Sequence, residues 1–343
     1  MNLTYRSQKQ PKQVNPKIGI LFNQPTGPLR GESIDFLAEA EVEDAVGAVQ
    51  KSLDTLGLGN QFFPIEESIM PVIKALKRYR PDIVINLSEG AFGESHLEMN
   101  VVAVLEFLGF PYTGSTPLTL GVCQDKGLTK DILRANGLPT PNYRVLSSCD
   151  DWKPDMPYPL FVKPLREDAS IGISSKSFVN NDSELKNQVE YIIKTYKQPA
   201  LVEEYVAGRE LNVAILGNEE AKALPVSEIL FGFDEEPKIV AYSAKWFKES
   251  IEYEKTKPMC PANLEPKIKE KVENVALKAY DALRCRDYAR VDIRLRGEVP
   301  LVLEVNPNPD ISLDAGFARA LKAARIQYEE FVKTIVFFAF DRR

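Results

Sequence analysis

Arg290-Val291-Asp292-Ile293 and Leu303-Glu304-Val305-Asn306, joined through Arg296-Gly297-Glu298-Val299-Pro300, decide how this chain is read. Each segment alternates apolar with polar or charged residues, the period of a half-buried strand. Folded as a hairpin centred on Glu298, Asp292 faces Glu304 and Arg290 faces Asn306. Val291 and Ile293 then meet Val305 and Leu303 on the opposite side. Directly opposed carboxylates repel in a sheet unless something cationic lies between them. Oxygen donors of this kind suit Mg²⁺, which usually also binds substrate phosphates. The hairpin is therefore either a metal–nucleotide platform or a solvated face whose charges carry no function. The rest of the chain decides between the two.

Working outward, the bulk composition narrows the function classes. The 343 residues suffice for roughly two or three domains of ~100–200 residues each. A hydrophobic share of 44% against 27% charged is the balance of a globular domain rather than a disordered chain. A net charge of −6 argues against nucleic acid as a partner, which calls for a basic patch. No run of about 18 apolar residues occurs, so no membrane span is expected. Met1–Lys17 is polar and basic, without the apolar core of a signal peptide, and reads as a loose tail. The cysteines at 123, 149, 260 and 285 form no C-x-x-C pair or ligand cluster, which fits thiols in a reducing cytoplasm. A single histidine, His96, leaves the chemistry to Lys, Arg, Asp, Glu and backbone amides.

Organisation follows from hydrophobic period and breakers. A buried strand at Lys17–Phe22, a helix over Ile34–Leu56, a helix over Met70–Tyr79, a strand at Asp82–Leu87 and a helix over His96–Leu108 predict an open α/β sheet. Ligands of such sheets bind beyond the carboxyl ends of the strands, here Asn23–Glu32 and Ser88–Glu94. After the linker-like Tyr112–Pro117 come a helix from Lys126 to Asn136, a strand Pro159–Lys163 and a polar loop Arg166–Gly172. A strand Ile173–Phe178, a helix Ser183–Tyr196 and a strand Ala200–Val206 follow. Then come strands at Leu211–Leu216, Ala223–Ile229 and Ile239–Ala241, a helix Leu264–Leu283, the hairpin, and closing helices Leu313–Arg325 and Tyr328–Phe340. The expected division is a flexible tail 1–16, an N-terminal α/β substrate domain 17–120, a central α+β unit 121–206 and a C-terminal antiparallel-sheet unit with helices 207–343.

Four upstream features bear on the hairpin. Lys163 ends an apolar strand and projects into whatever that strand lines. The loop Arg166-Glu167-Asp168-Ala169-Ser170-Ile171-Gly172 is either a phosphate-covering flap or an ordinary turn. Lys126 either reaches a phosphate or lies on the surface. Glu203-Glu204-Tyr205-Val206 runs into Ala207-Gly208-Arg209-Glu210, which is either a base- and ribose-binding edge or a charged hinge.

Taken together, these segments resemble the ATP-grasp superfamily and, within it, the D-alanine–D-alanine ligase group. The resemblance runs from Asp82 to about Ala324. It rests on Leu108–Ser115, Asp125–Lys130 with Gly137–Pro141, Phe161–Pro164 with Arg166-Glu167, Leu201–Glu204 through Gly208 and Glu210, and the hairpin. It implies an ATP-grasp fold with ATP between the central and C-terminal units. It further implies that Lys126 and Lys163 neutralise phosphates, that the Glu203–Val206 backbone takes adenine, and that Glu210 takes ribose. By the same resemblance Lys245 reaches the γ-phosphate, and Asp292, Glu304 and Asn306 hold two Mg²⁺ ions (or Mn²⁺). Arg290 would stabilise the oxyanion, and the 166–172 flap with Ser170 would close over an acyl phosphate and exclude water.

Departures from the family concentrate where substrates are expected. The loop after the first strand is Asn23-Gln24-Pro25-Thr26-Gly27-Pro28, with Glu32 the only nearby acid. Glu89 stands in place of a histidine, and the flap's paired serines are Ala169-Ser170. Trp246 replaces a tyrosine after the phosphate lysine, and Asp310 replaces a glycine whose amide serves the oxyanion. Ala315 replaces a serine, leaving Ser312 and the N-terminus of the helix near Leu313 to bind a carboxylate. The expectation is a cytoplasmic, homodimeric ATP-dependent carboxylate–amine ligase acting on amino-acid-type substrates other than two D-alanines. The alternatives are a genuine D-alanine–D-alanine (or D-alanine–X) ligase and a non-catalytic ATP-binding protein. Neither nucleic acid nor membrane is an expected partner.

Overall fold

The structure, a computed structural model, describes residues 15–24, 31–35, 42–247 and 249–342. The tail over 1–14, the Pro25–Pro28 part of the first loop and the start of the predicted helix at 36–41 lie outside these residues.

A three-stranded parallel sheet opens the fold, with β1 (Ile18–Asn23) between β2 (Asn60–Ile65) and β3 (Ile83–Asn86). The sequence reading missed β2, whose polar start and Pro64 hide it. Proline is tolerated there because β2 is an edge strand. Helix α1 (Val42–Thr55) buries Val42, Ala45, Val46, Val49 and Leu53, the i, i+3, i+4 face of an amphipathic helix. Helix α2 (Ile69–Tyr79) is capped by Ser68. Helix α3 (Glu98–Leu108) starts two residues later than predicted and stops at Gly109, whose φ of +71° suits glycine. Two helices sharing Asp125 as boundary follow. These are α4 (Pro117–Gln124), unpredicted, and α5 (Lys126–Ala135), where the Asp125 side chain accepts from Leu128 N.

The second sheet is antiparallel in the order β4 (Tyr143–Leu146), β7 (Ala200–Glu204), β5 (Leu160–Pro164), β6 (Phe178–Val179), with α6 (Asp182–Tyr196) packed on β5 and β7. The predicted strand Ile173–Phe178 shrinks to β6, because 175–177 form a short 3-10 turn capped by Ser174.

The third sheet runs β11 (Thr256–Met259), β10 (Ser227–Phe231), β8 (Arg209–Leu216), β12 (Tyr288–Arg296), β13 (Val299–Asn306), with the short β9 (Lys222–Ala223) on β8. No strand forms at Ile239–Ala241. That segment leads instead into α7 (Tyr242–Trp246) and α8 (Ile251–Lys255). Helix α9 (Pro266–Ala282) covers the apolar face of this sheet through Val272, Ala276 and Ala279.

The β12–β13 hairpin pairs Arg290 with Asn306, Val291 with Val305 and Asp292 with Glu304, as the alternation predicted. The register then slips, so Ile293 faces Val302 rather than Leu303. A bulge re-aims the extra residue. Val302 goes into the core and Leu303 onto the cavity side beside Glu304. Helices α10 (Gly316–Ala323) and α11 (Tyr328–Asp341) return to the first sheet. Phe317, Phe331 and Ile335 share one core with Ile18, Ile20, Ile83 and Ile85.

Candidate active site

Period-2 alternation on β12 sends Val291, Ile293 and Leu295 into the core and Arg290, Asp292 and Arg294 into a cavity of about 390 Å³ between the second and third sheets. The Asp292 carboxylate is held on several sides. Arg290 donates to it from Nε and Nη2, both at 2.8 Å. Asn212 Nδ2, directly across on β8, donates at 2.8 Å, and Asn306 Nδ2 at 3.2 Å. Glu304 lies 3.8 Å from Lys126 Nζ. Burial resists the charge of Glu304, but Lys126, Lys163 and Arg290 overrule it and hold its carboxyl below the usual range. Among the described residues no group of three or more His, Cys, Asp or Glu is placed to hold a metal. The donor set is two carboxylates and the amide oxygen of Asn306. That set fits Mg²⁺, which needs only one or two carboxylates when phosphates and water complete its shell.

Facing the hairpin are two buried lysines. Lys126, on the first turn of α5, donates to Glu167 O at 2.6 Å and to Asp168 Oδ1 at 2.8 Å. Burial opposes its charge, yet Asp168 and Glu304 keep it above its ordinary value. Lys163, at the end of β5, is 2.8 Å from Glu203 Oε1 on the neighbouring strand β7. Glu203 also meets Lys130 at 2.8 Å, and Lys130 donates to Thr140 Oγ1 at 2.9 Å. Two ammonium groups thus share one carboxylate in a dry setting. Against the cost of burial, they pull Glu203 well below the usual carboxylate range. Burial, with Lys163 nearby, pulls Lys130 below the ordinary lysine value.

The hinge residues Glu203, Glu204, Tyr205 and Val206 all line the cavity. Glu210, the expected ribose acceptor, reaches it too, but its carboxylate is paired with Arg294 Nη2 at 2.6 Å. The flap closes the other side. Ala169 (φ +52°) and Ser170 (φ +63°) are both left-handed, a strained arrangement for residues with side chains. The strain is held by bonds. Ser170 Oγ donates to Val240 O at 2.8 Å and Trp246 Nε1 donates to Ala169 O at 3.1 Å. Glu167 accepts from Ser95 Oγ at 3.0 Å and from Gln198 Nε2 at 2.7 Å, tying the flap to the N-terminal segment. A side chain at Gly172 would be strained, since its φ is +75° and a Cβ would lie 2.6 Å from Pro164 Cγ.

A smaller cavity of about 130 Å³ opens from the same centre, lined by Glu89, Glu98, Asn306 and Asn308, and it shares Lys245, Arg290 and Asp310 with the first. Glu98 accepts from Asn308 Nδ2 at 3.0 Å. Burial pushes its carboxyl up to about 8, against the pull of Asn308 and with Glu89 and Asp168 adding to the rise.

Two expected substrate residues line neither cavity. Ser312 is buried, with its Oγ on Asp310 Oδ2 at 3.0 Å, so it orients Asp310 instead of meeting substrate. Trp246 acts on the flap backbone, and Lys245 stacks 4.5 Å over its ring. The expected helix N-terminus lies at Gly316, not Leu313. A larger cavity of about 580 Å³, behind Gly172–Ser175 and lined by Tyr191, Tyr196 and Phe247, holds none of these groups.

Sequence reading missed Lys130, Asn212, Glu98, Asn308, Arg294 and Arg319. Period-2 counting along β12 and β8 exposes Arg294 and Asn212. The other four come from helices or loops that only tertiary packing brings to the cavities or, for Lys130, to Glu203 behind them.

Comparison with known proteins places the chain among relatives of one family. The model of the D-ala D-ala ligase C-terminus matches residues 132–337. An uncharacterized protein of Sinorhizobium fredii is 36% identical over 280 residues, covering 79% of this chain and 81% of that protein. A D-alanine–D-alanine ligase of Carboxydothermus hydrogenoformans is 32% identical over 285 residues, covering 79% of this chain and 86% of its own. The crystal structure of the Bacillus anthracis D-alanine–D-alanine ligase complexed with ATP superposes with a TM-score of 0.74 at 25% identity, over 95% of this chain and 98% of that one.

Proposed function

Because this chain belongs to the D-alanine–D-alanine ligase family of ATP-grasp enzymes, and so is an ATP-dependent ligase forming carbon–nitrogen bonds, we propose that it joins two amino-acid-type substrates other than two D-alanines. The observation that carries the change of substrate is the acidic lining of the smaller cavity. Glu89 and Asp310 both border it, which favours a substrate with an additional amino or cationic group.

A carboxylate is a poor electrophile because its leaving group would be oxide. Transfer of the γ-phosphoryl group makes an acyl phosphate, whose leaving group is phosphate, and an amine then attacks the carbonyl carbon. In this reading Lys126, Lys163 and Lys245 hold the phosphates, the Glu203–Val206 backbone holds the base and Glu210 the ribose. Asp292, Glu304 and Asn306 would hold two Mg²⁺ ions, which supply positive charge to the transferring phosphoryl group. Arg290 stabilises the oxyanion, the kind of preorganised electrostatic contact that often contributes most to such rates. The flap, tied down through Ser170 and Trp246, keeps water from the acyl phosphate. Units 17–120, 121–206 and 207–343 would supply substrate, ATP and metal contacts respectively. Family membership also supports a cytoplasmic homodimer.

The test is ATP-dependent coupling across a pool of L- and D-amino acids and dipeptides, read by mass spectrometry with phosphate release alongside. Coupling with a substrate pair other than D-alanine is expected, and Glu304→Gln should abolish it. Turnover of D-alanine alone at the best rate in the pool would return the chain to the activity named for its relatives. Nucleotide binding without phosphate release on any carboxylate would make it a binding protein.

A further inference from the structure

The cavity of about 580 Å³ behind the flap takes no part in the ligase reading, yet it has the volume of a small-molecule site. Its walls are the flap end 172–175, α6, the segment 233–247 and α8, with Glu32 and Asp35 from the N-terminal part. Five aromatic rings line it: Tyr191, Tyr196, Phe233, Tyr242 and Phe247. They brace one another edge to face, with ring centroids 6.0 Å apart in both Tyr191–Tyr196 and Tyr242–Phe247. Tyr191, Phe233 and Phe247 are only partly buried, so they keep surface for a guest. The charge around the rings has one sign. Glu32, Asp35, Glu235, Glu236 and Glu252 line the space, and Lys255 is the one basic side chain among the described residues that do. A cleft of one sign with apolar walls concentrates the opposite charge, and ring faces attract a cation through their quadrupole. An ammonium group on an apolar body satisfies both features, and an anion satisfies neither.

We propose that this cavity is a second ligand site, separate from the reaction centre, for a cationic amine with an apolar body, and that its occupant braces the flap from behind. The two cavities share a wall, since Ile173, Ile239 and Thr256 line both. That wall is the flap and the segment it bonds to. Tyr242 N donates to Ile173 O at 3.0 Å, and Ser170 Oγ donates to Val240 O at 2.8 Å. Ile173 and Tyr242, the two residues of the first bond, both face the guest's space. A guest that touches both binds better while that bond is made, so it shifts the flap towards its closed position. By linkage, closing the flap over a nucleotide strengthens the guest's binding in return. The site holds whichever substrates the reaction centre joins.

The experiment is titration calorimetry on the full chain with four probes of one shape: 2-phenylethylammonium, benzyltrimethylammonium, neutral 2-phenylethanol and anionic 3-phenylpropionate. The two cations should bind, the alcohol about tenfold more weakly or worse, and the anion not at all. Glu235 and Glu252 are exposed, so the Glu235→Lys, Glu252→Lys double variant keeps the fold and reverses charge at the rim. It should weaken both cations by about tenfold. Tyr191→Leu keeps bulk and removes a ring, so it should weaken the cations by about three- to tenfold and leave the alcohol within about twofold. In parallel, 2-phenylethylammonium should slow protease cleavage within 166–175 in the wild type and leave the double variant unprotected. Cations that bind no better than the alcohol overturn the site without any variant. Wild-type affinity in both variants would put the probes in the other acidic cavity, which also overturns it. Binding with unchanged flap cleavage overturns the bracing. None of these readouts is turnover, so a failure of the ligase reading leaves the result standing.

Discussion

At the scale of the residue, Glu203 carries more than its position on the hinge suggests. It is 2.8 Å from both Lys130 and Lys163 and only 3% exposed. Removing one member of a buried ionic cluster strands the others, typically at a cost of about 3–5 kcal/mol. Glu203→Gln is therefore expected to destabilise the fold by about that amount in urea unfolding, and to weaken ATP binding by displacing Lys163. The pH dependence has a fixed sign. The folded-state pKa of Glu203 is depressed, so its stabilising contribution is present above the unfolded carboxylate pKa and is lost as pH falls through the folded one. Wild-type stability should drop on acidification by more than that of Glu203→Gln. Sequence alone marks Glu203 for its backbone. Its partner Lys130 sits on a helix four residues from Lys126, and nothing local marks it as a partner of Glu203.

At the scale of the element, the flap shows how one bond can be replaced by another. Without the family's tyrosine, the indole of Trp246 donates to the Ala169 carbonyl at 3.1 Å. Trp246→Phe keeps the ring and removes that donor. The flap should then open more often, giving faster protease cleavage within 166–172 and more phosphate released per product formed, since water reaches the acyl phosphate. An unchanged phosphate-to-product ratio would mean that Trp246 does not hold the flap. The hairpin teaches a related lesson. Alternation gave three of its pairs, but the bulge after Asp292 depends on how Val302 and Leu303 divide between core and cavity. Strands β2, β4 and β11 were illegible because each carries prolines or polar residues that only an edge position tolerates. The predicted strand at 239–241 fails because its residues bond to the flap instead of a ladder, as in the bond from Ser170 Oγ to Val240 O.

At the scale of the whole molecule, Asp287 joins three distant parts of the chain. It is fully buried, accepts from Gly114 N at 2.8 Å and from Asn218 Nδ2 at 3.2 Å, and pairs with Arg342 at the end of α11. The linker, the start of β12 and the final helix meet at one carboxylate. Asp287→Ala strands Arg342 and also loses a residue suited to its φ of +67°, so a loss of about 3–5 kcal/mol is expected in equilibrium unfolding. Asp287→Asn, which tolerates that backbone conformation, should recover part of it. If both variants unfold like wild type, the junction is not what fastens the closing helix to the first sheet.

The sequence by itself determined the hairpin's polar face, the order of most of the elements and the family, because period-2 alternation and short-range motifs are local properties of the chain. It also determined most of the residues that meet at the cavity, since strand ends and the flap lie close to their motifs. Only the tertiary structure decided the counter-ions and the substrate end. Lys130 found Glu203, Arg294 took Glu210, and Ser312 turned inward to Asp310. These outcomes depend on which side chains burial leaves without water, and that is settled only when separate elements pack together.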